Sequence, residues 1–193
     1  GRTPMTILKT VTATAFGALM ATSAIADGHA QSWDMPMAYA ATNFHSEHGE
    51  IFADLVRDYT GGAIDITVHP GGSLFGGGDI KRAIQTGQVQ IGERLLSGHQ
   101  NEDALFGFDS IPFLVGSFDE HAMLWEAAEP AITELLAGQN LHLIYSVPWP
   151  PQGLYFNQEV NSVADMEGIR FRSYNNATNR LAELTGMLPV TIE

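Results

Sequence analysis

Two arginines two positions apart, Arg170 and Arg172, alternate with Ile169 and Phe171 in a stretch that runs on into Ser173-Tyr174-Asn175-Asn176-Ala177-Thr178-Asn179. Alternation is the period of a strand, and the following apolar positions Leu181, Ala182 and Leu184 suit a short helix that Gly186 stops. Leu188 to Ile192 then resumes as strand. In an open α/β sheet, ligands collect beyond the carboxyl ends of the strands, close to helix N-termini, so Arg172 points at an anion site. A guanidinium there can hold a carboxylate in two parallel charge-assisted bonds, a geometry lysine cannot reproduce. The plainer alternative is a surface arginine paired with a neighbouring carboxylate.

Other residues invite chemistry more weakly. His45-Ser46-Glu47-His48, with Glu50 close by, spaces two imidazoles three apart, but it lacks the His-Glu-x-x-His order of a zinc hydrolase. A solvated loop and helix start explains it without a metal. Asn43 and His45, just after a first strand, are also placed to donate hydrogen bonds to a bound acid. The glycine-rich run Gly71 to Gly78 matches neither the P-loop nor the dinucleotide fingerprint, so its glycines serve turns and close backbone approach, with Phe75 as an apolar wall. Glu93 and Asp109 have no nucleophile or base beside them in the sequence, which favours salt-bridge or solvated roles. Trp149, Gln152 and Tyr155 sit on a proline-rich crossing, where core and linker packing competes with ligand contact.

These side chains need elements to hold them. Asp34 to Ala40 reads as a first strand, with Pro36 suggesting an edge or early position. Ile51, Phe52, Leu55, Val56 and Tyr59 recur at helical spacing until Gly61-Gly62. Ile64, Ile66 and Val68 alternate as a second strand, a short helix surrounds Ile80, Ala83 and Ile84, and Val89 to Gly92 is a third strand. Ser117-Phe118-Asp119-Glu120 is a capping box opening a helix that Pro130 kinks or restarts and Gly138 ends. Leu141 to Val147 is a strand, broken by Pro148-Trp149-Pro150-Pro151, and Gly153 to Asn157 starts a new sheet. Strand and helix alternating in this way argue for parallel pairing and an α/β fold.

Composition narrows the function. Met5 with a basic Lys9, an apolar run from Val11 to Met20 and Ala24-Ile25-Ala26 have the layout of a secretory signal peptide over residues 1–26, too short a run to span a bilayer. Its removal would take the formal charge from -13 by two charges to -15. Such an acidic chain has no basic patch to neutralise phosphates, which argues against nucleic acid as a partner. An anionic ligand must therefore be recognised locally, because the long-range field opposes its approach. Without cysteine there are no disulfides or thiolate metal sites.

The run Asp165-Met166-Glu167-Gly168-Ile169-Arg170-Phe171-Arg172, followed by Asn175-Asn176-Ala177-Thr178, resembles the extracytoplasmic solute-binding subunits of TRAP (tripartite ATP-independent periplasmic) transporters. Thr60 to Ile66, Pro70 to Gly78, Gly87 to Ile91 and Ile111-Pro112-Phe113-Leu114 agree with that family in order and spacing, and the resemblance runs from about Trp33 to Glu193. It implies a periplasmic binding protein-like fold of two α/β lobes. The first would span residues 27–148, and 149–193 would be the linker strand and the opening of a second lobe. Because family members continue for well over a hundred residues past this point, the chain is expected to be C-terminally truncated.

The same resemblance implies a periplasmic subunit that binds a small organic acid through its carboxylate and delivers it to TRAP integral membrane subunits, with no enzymatic activity, cofactor or metal. Arg172 matches the family arginine that clamps the carboxylate. Asn176 and the helix start would add donors, while Tyr155, Trp149 and Phe75 would enclose the ligand and Asn43 and His45 would complete it. Sialic-acid binders of the family carry a second arginine where this chain has Tyr155, a phenol that donates one hydrogen bond but bears no charge at neutral pH. The rival readings are the ligand-binding lobe of an extracytoplasmic sensor and a secreted hydrolase.

Overall fold

The computed structural model describes Gly1 and residues 30–192, so the segment read as a signal peptide lies outside the described residues apart from Gly1. Strand β1 (Gln31–Pro36) pairs in parallel with β2 (Ile64–His69), and helix α1 (Phe44–Tyr59) connects them. Helix α2 (Gly77–Gln85) follows, then short 3-10 turns at Leu96–His99 and Ala104–Gly107, and the long helix α3 (Phe118–Gly138). A second parallel pair, β3 (Arg170–Ser173) with β4 (Leu188–Thr191), is bridged by helix α4 (Asn176–Leu184). Both units are strand-helix-strand crossovers, the connection parallel strands require.

The first core gathers Met35, Met37, Ala53, Ile66 and Ile91, and a second gathers Phe106, Ile132 and Leu136 under the partly buried Trp125 and Leu143. Helix α1 passes close to the carboxyl end of β1 at Gly49, where a Cβ would run into Met37 Sδ. Residues of α1 thereby reach the carboxyl end of β1.

The helix signals hold in detail. Ser117 Oγ accepts from Glu120 N–H at 3.2 Å, while the Glu120 carboxylate reaches back past the cap to Gly116 N–H at 2.6 Å. Asn175 caps α4 through Thr178 N–H at 2.9 Å, and Thr178 Oγ1 accepts from Asn175 N–H, a reciprocal box. Pro130 sits inside α3 without ending it, as an unbroken helix with one donor removed.

The strand expectations fare less evenly. β1 covers Gln31–Pro36 rather than Asp34 to Ala40, and Pro36 closes the strand instead of opening it. The third strand reduces to one parallel bridge, Met37 with Glu93. Residues 141–147 and 153–157 enter no ladder among the described residues. Alternating side chains suit a strand, but a strand also needs a neighbour to bond.

Candidate functional site

The bridge between Met37 and Glu93 does more than extend the sheet. It sets the carboxyl end of β1 beside residues 91–94, while the loop after β1 turns into α1 over the same spot. Asn43 fixes that turn as the cap of α1, its side-chain oxygen accepting from His45 N–H at 3.0 Å, an interaction whose loss costs about 1 kcal/mol. Ser46 donates from Oγ to the Tyr39 carbonyl at 2.8 Å and ties the helix start to the chain leaving β1.

His45 is thereby driven inward, 2% exposed, in the first turn of α1 rather than in a polar loop. Its ring lies 4.2 Å from those of Phe44 and Trp149 and 5.5 Å from that of Tyr39. Trp149 meets Tyr39 and Phe44 edge-on at 5.0 and 5.2 Å. The result is an aromatic box around one imidazole, to which each such ring pair adds about 0.5–1.5 kcal/mol beyond its buried area.

Glu93 is the polar counterpart. Its Oε1 lies 2.9 Å from His45 Nδ1, an ion-pair distance. The two groups are out of line for a hydrogen bond, so both His45 ring nitrogens and Glu93 Oε2 are enclosed with no hydrogen-bond partner among the described residues. Tyr145 stands close enough to feel the glutamate: burial foremost, and then the Glu93 charge, push its phenol up to about 12. His45, Glu93, Tyr145 and Trp149 line a cleft of about 540 Å³, whose far wall includes Trp125 and Leu143. A largely apolar hollow with a few convergent polar groups is the usual form of a small-molecule site.

A second polar cluster borders the cleft. Lys81, 7% exposed, ion-pairs with Glu102 Oε2 and lies over the Phe106 ring at 5.2 Å. Glu102 Oε1 lies 2.9 Å from His99 Nδ1. Burial holds His99 below the ordinary histidine range, and the Lys81 ammonium holds Glu102 below the carboxylate range.

Of the residues singled out from the sequence, the structure brings His45 and Trp149 together and makes Asn43 the cap that positions them. Arg172, Asn176, Tyr155 and Phe75 do not line this cleft. Arg172 projects from β3, exposed, with Nε donating to the Ile192 carbonyl at 3.0 Å and its guanidinium 5.3 Å from the centre of the Tyr174 ring. Asn176 opens α4, Tyr155 is 88% exposed, and Phe75 is half-buried in the glycine-rich loop. Asp109 lies 3.4 Å from His121 Nε2, the salt-bridge role expected of it. No group of three or more metal-ligating side chains occurs among the described residues, and His48 is exposed, its ring meeting Phe44 edge-on at 6.2 Å.

Glu93 was missed as a site residue, though a signal existed. It follows Val89 and Ile91 at a strand's carboxyl end, the same position that drew attention to Arg172.

Fold, cleft and sequence agree with one class: residues 37–192 match the profile of bacterial extracellular solute-binding protein family 7, and the chain belongs to that family. Among solved structures it is similar to a marine metagenome TRAP solute-binding protein specific for pyroglutamate, with 59% identity, a TM-score of 0.83, and coverage of 85% of this chain and 54% of that one. It is also similar to DctP6 and DctP7, two Bordetella pertussis extracytoplasmic solute receptors binding pyroglutamic acid. Each is 42% identical, with TM-scores of 0.81 and 0.82, over 84% of this chain and 54% of theirs. The chain thus spans about half the length of these solved relatives.

Proposed function

We propose that the protein is the solute-binding subunit of a TRAP transporter, taking a small carboxylate, with pyroglutamate as the leading candidate, outside the cytoplasm and passing it to the integral membrane subunits. The observation that carries this reading is the 59% identity to a pyroglutamate-specific TRAP binding protein over 85% of the chain. The aromatic cleft around His45 and Glu93 supports it, being the size and polarity a compact ring acid needs.

Arg172 is assigned the carboxylate. Its Nε is occupied by the Ile192 carbonyl and its plane lies near Tyr174, which holds the fork in one orientation and leaves both Nη groups without a hydrogen bond among the described residues. Trp149 and His45 form the apolar wall, Asn176 and Tyr155 stand on the same half as Arg172, and Asn43 acts through the helix cap. The crossing from first to second lobe is placed at residues 148–149, and export by an N-terminal signal peptide puts the protein in the periplasm. Calorimetric titration of the full-length protein with a panel of small carboxylates tests the reading. Pyroglutamate binding tighter than the panel is the expected outcome, and no binding to any of them would refute it.

A further inference from the structure

Burying a carboxylate oxygen and an imidazole without hydrogen bonds is costly, and such atoms in a folded protein call for a reason. Here they converge: Glu93 Oε2 and both ring nitrogens of His45 are enclosed, without a hydrogen bond among the described residues, at one corner of the cleft that both residues line. The pair is in ring or charge contact with Tyr39, Phe44, Tyr145 and Trp149, while Lys81 and Arg94 line the same cleft.

We infer that Glu93 is the specificity-determining residue of the site: it accepts a hydrogen bond from a ring N–H of the ligand, and it selects lactam or cyclic imino acids over dicarboxylates. A carboxylate is an acceptor only, so it asks for a donor. A ligand with an N–H supplies one and removes the cost of the orphaned oxygen. A dicarboxylate turned into the same corner sets a second negative charge against Glu93 in a desolvated pocket, where repulsion is far stronger than in water. His45, 2.9 Å from Glu93 and in tilted ring contact with both Phe44 and Trp149, holds the glutamate in place and is a positioning residue.

The inference rests on the solute-binding reading above, and its test separates the two. Full-length wild-type protein is titrated with L-pyroglutamate, with the isosteric lactone in which ring oxygen replaces N–H, and with succinate. Sites built to hydrogen-bond an N–H reject analogues lacking it, so the lactone should bind at least about tenfold more weakly and succinate more weakly still. Glu93→Gln, whose amide can turn to donate to the ring oxygen and carries no charge, should shrink both ratios while circular dichroism stays unchanged. Equal binding of lactam and lactone by the wild type overturns the role of Glu93 and leaves the solute-binding reading standing. Unchanged ratios in a folded Glu93→Gln do the same, and failure to bind any of the three removes both.

Discussion

Asn175 Nδ2 donates to Ser97 Oγ at 3.0 Å, joining residues 78 positions apart in the sequence and the two strand pairs in space. The same amide group lies 3.2 Å from Ser110 Oγ, and Ala177 N–H donates to Gln100 Oε1 at 3.4 Å. One buried side chain thus caps α4 with its oxygen and fastens α4 to the loops before α3 with its nitrogen.

That division of labour can be separated by mutation. Asn175→Ser keeps an oxygen for the cap but lacks the reach to Ser97 and Ser110, whereas Asn175→Ala loses both. Expected costs in urea denaturation are about 1–2 kcal/mol for serine, from two hydrogen bonds of modest net worth, and about 1 kcal/mol more for alanine, from the cap. Equal losses for the two variants would show that the cap contributes nothing.

Gly92 lies where the backbone of residues 91–94 passes β1 and α2. A Cβ there would meet Ile80 Cγ2 at 2.9 Å, Ile84 Cδ1 at 3.1 Å and the Pro36 carbonyl at 3.2 Å. Gly92→Ala should destabilise the fold by about 1–3 kcal/mol, the usual cost of overpacking, and should weaken ligand binding because Glu93 is displaced with it. Denaturation midpoints together with calorimetry check both effects.

Acid should loosen the Lys81–Glu102–His99 cluster. His99, held by burial below the ordinary value of 6.5, binds protons more readily unfolded, so stability is lost as pH falls from about that value. Glu102 is held low first by its hydrogen bond from Lys81, so it contributes stability above about pH 4.5 that is lost as pH falls through its folded value. Both effects have the same sign. Melting temperature should decline from pH 7.5 to 5.5, and His99→Asn should flatten that decline; an unchanged slope in the variant would clear His99 of the effect.

Arg172→Lys keeps the charge and loses the fork. Ligand affinity in the full-length protein should drop by about 2–5 kcal/mol if the guanidinium clamps a carboxylate in a closed cleft, against about 1 or less for an exposed ion pair. Calorimetry with pyroglutamate distinguishes the two.

Much of the architecture was legible because local chemistry fixes it. Ser117 with Glu120 and Gly186 after Leu184 mark their helix ends in sequence alone, and the alternation of Ile64, Ile66 and Val68 gives β2. The apolar run at 141–147 was legible as strand-like but enters no ladder among the described residues, since pairing depends on a neighbour elsewhere in the chain. The site divided the same way. His45 could be suspected from its place after a strand, whereas its contact with Glu93, 48 positions on, exists only because the Met37–Glu93 bridge brings two distant segments into register. Asn43 also serves as a capping acceptor through its side-chain oxygen, a role that depends on where the helix begins.

The chain between α3 and β3 also has a mechanical meaning. Residues 142–155 take no part in a ladder among the described residues, and packing of Leu143, Tyr145 and Trp149 is what pins the first part of the run, leaving Tyr155 exposed beyond it. The side-chain hydrogen bonds around Asn175 tie the two strand pairs together in small separate steps, each of net worth about 0.5–1.5 kcal/mol.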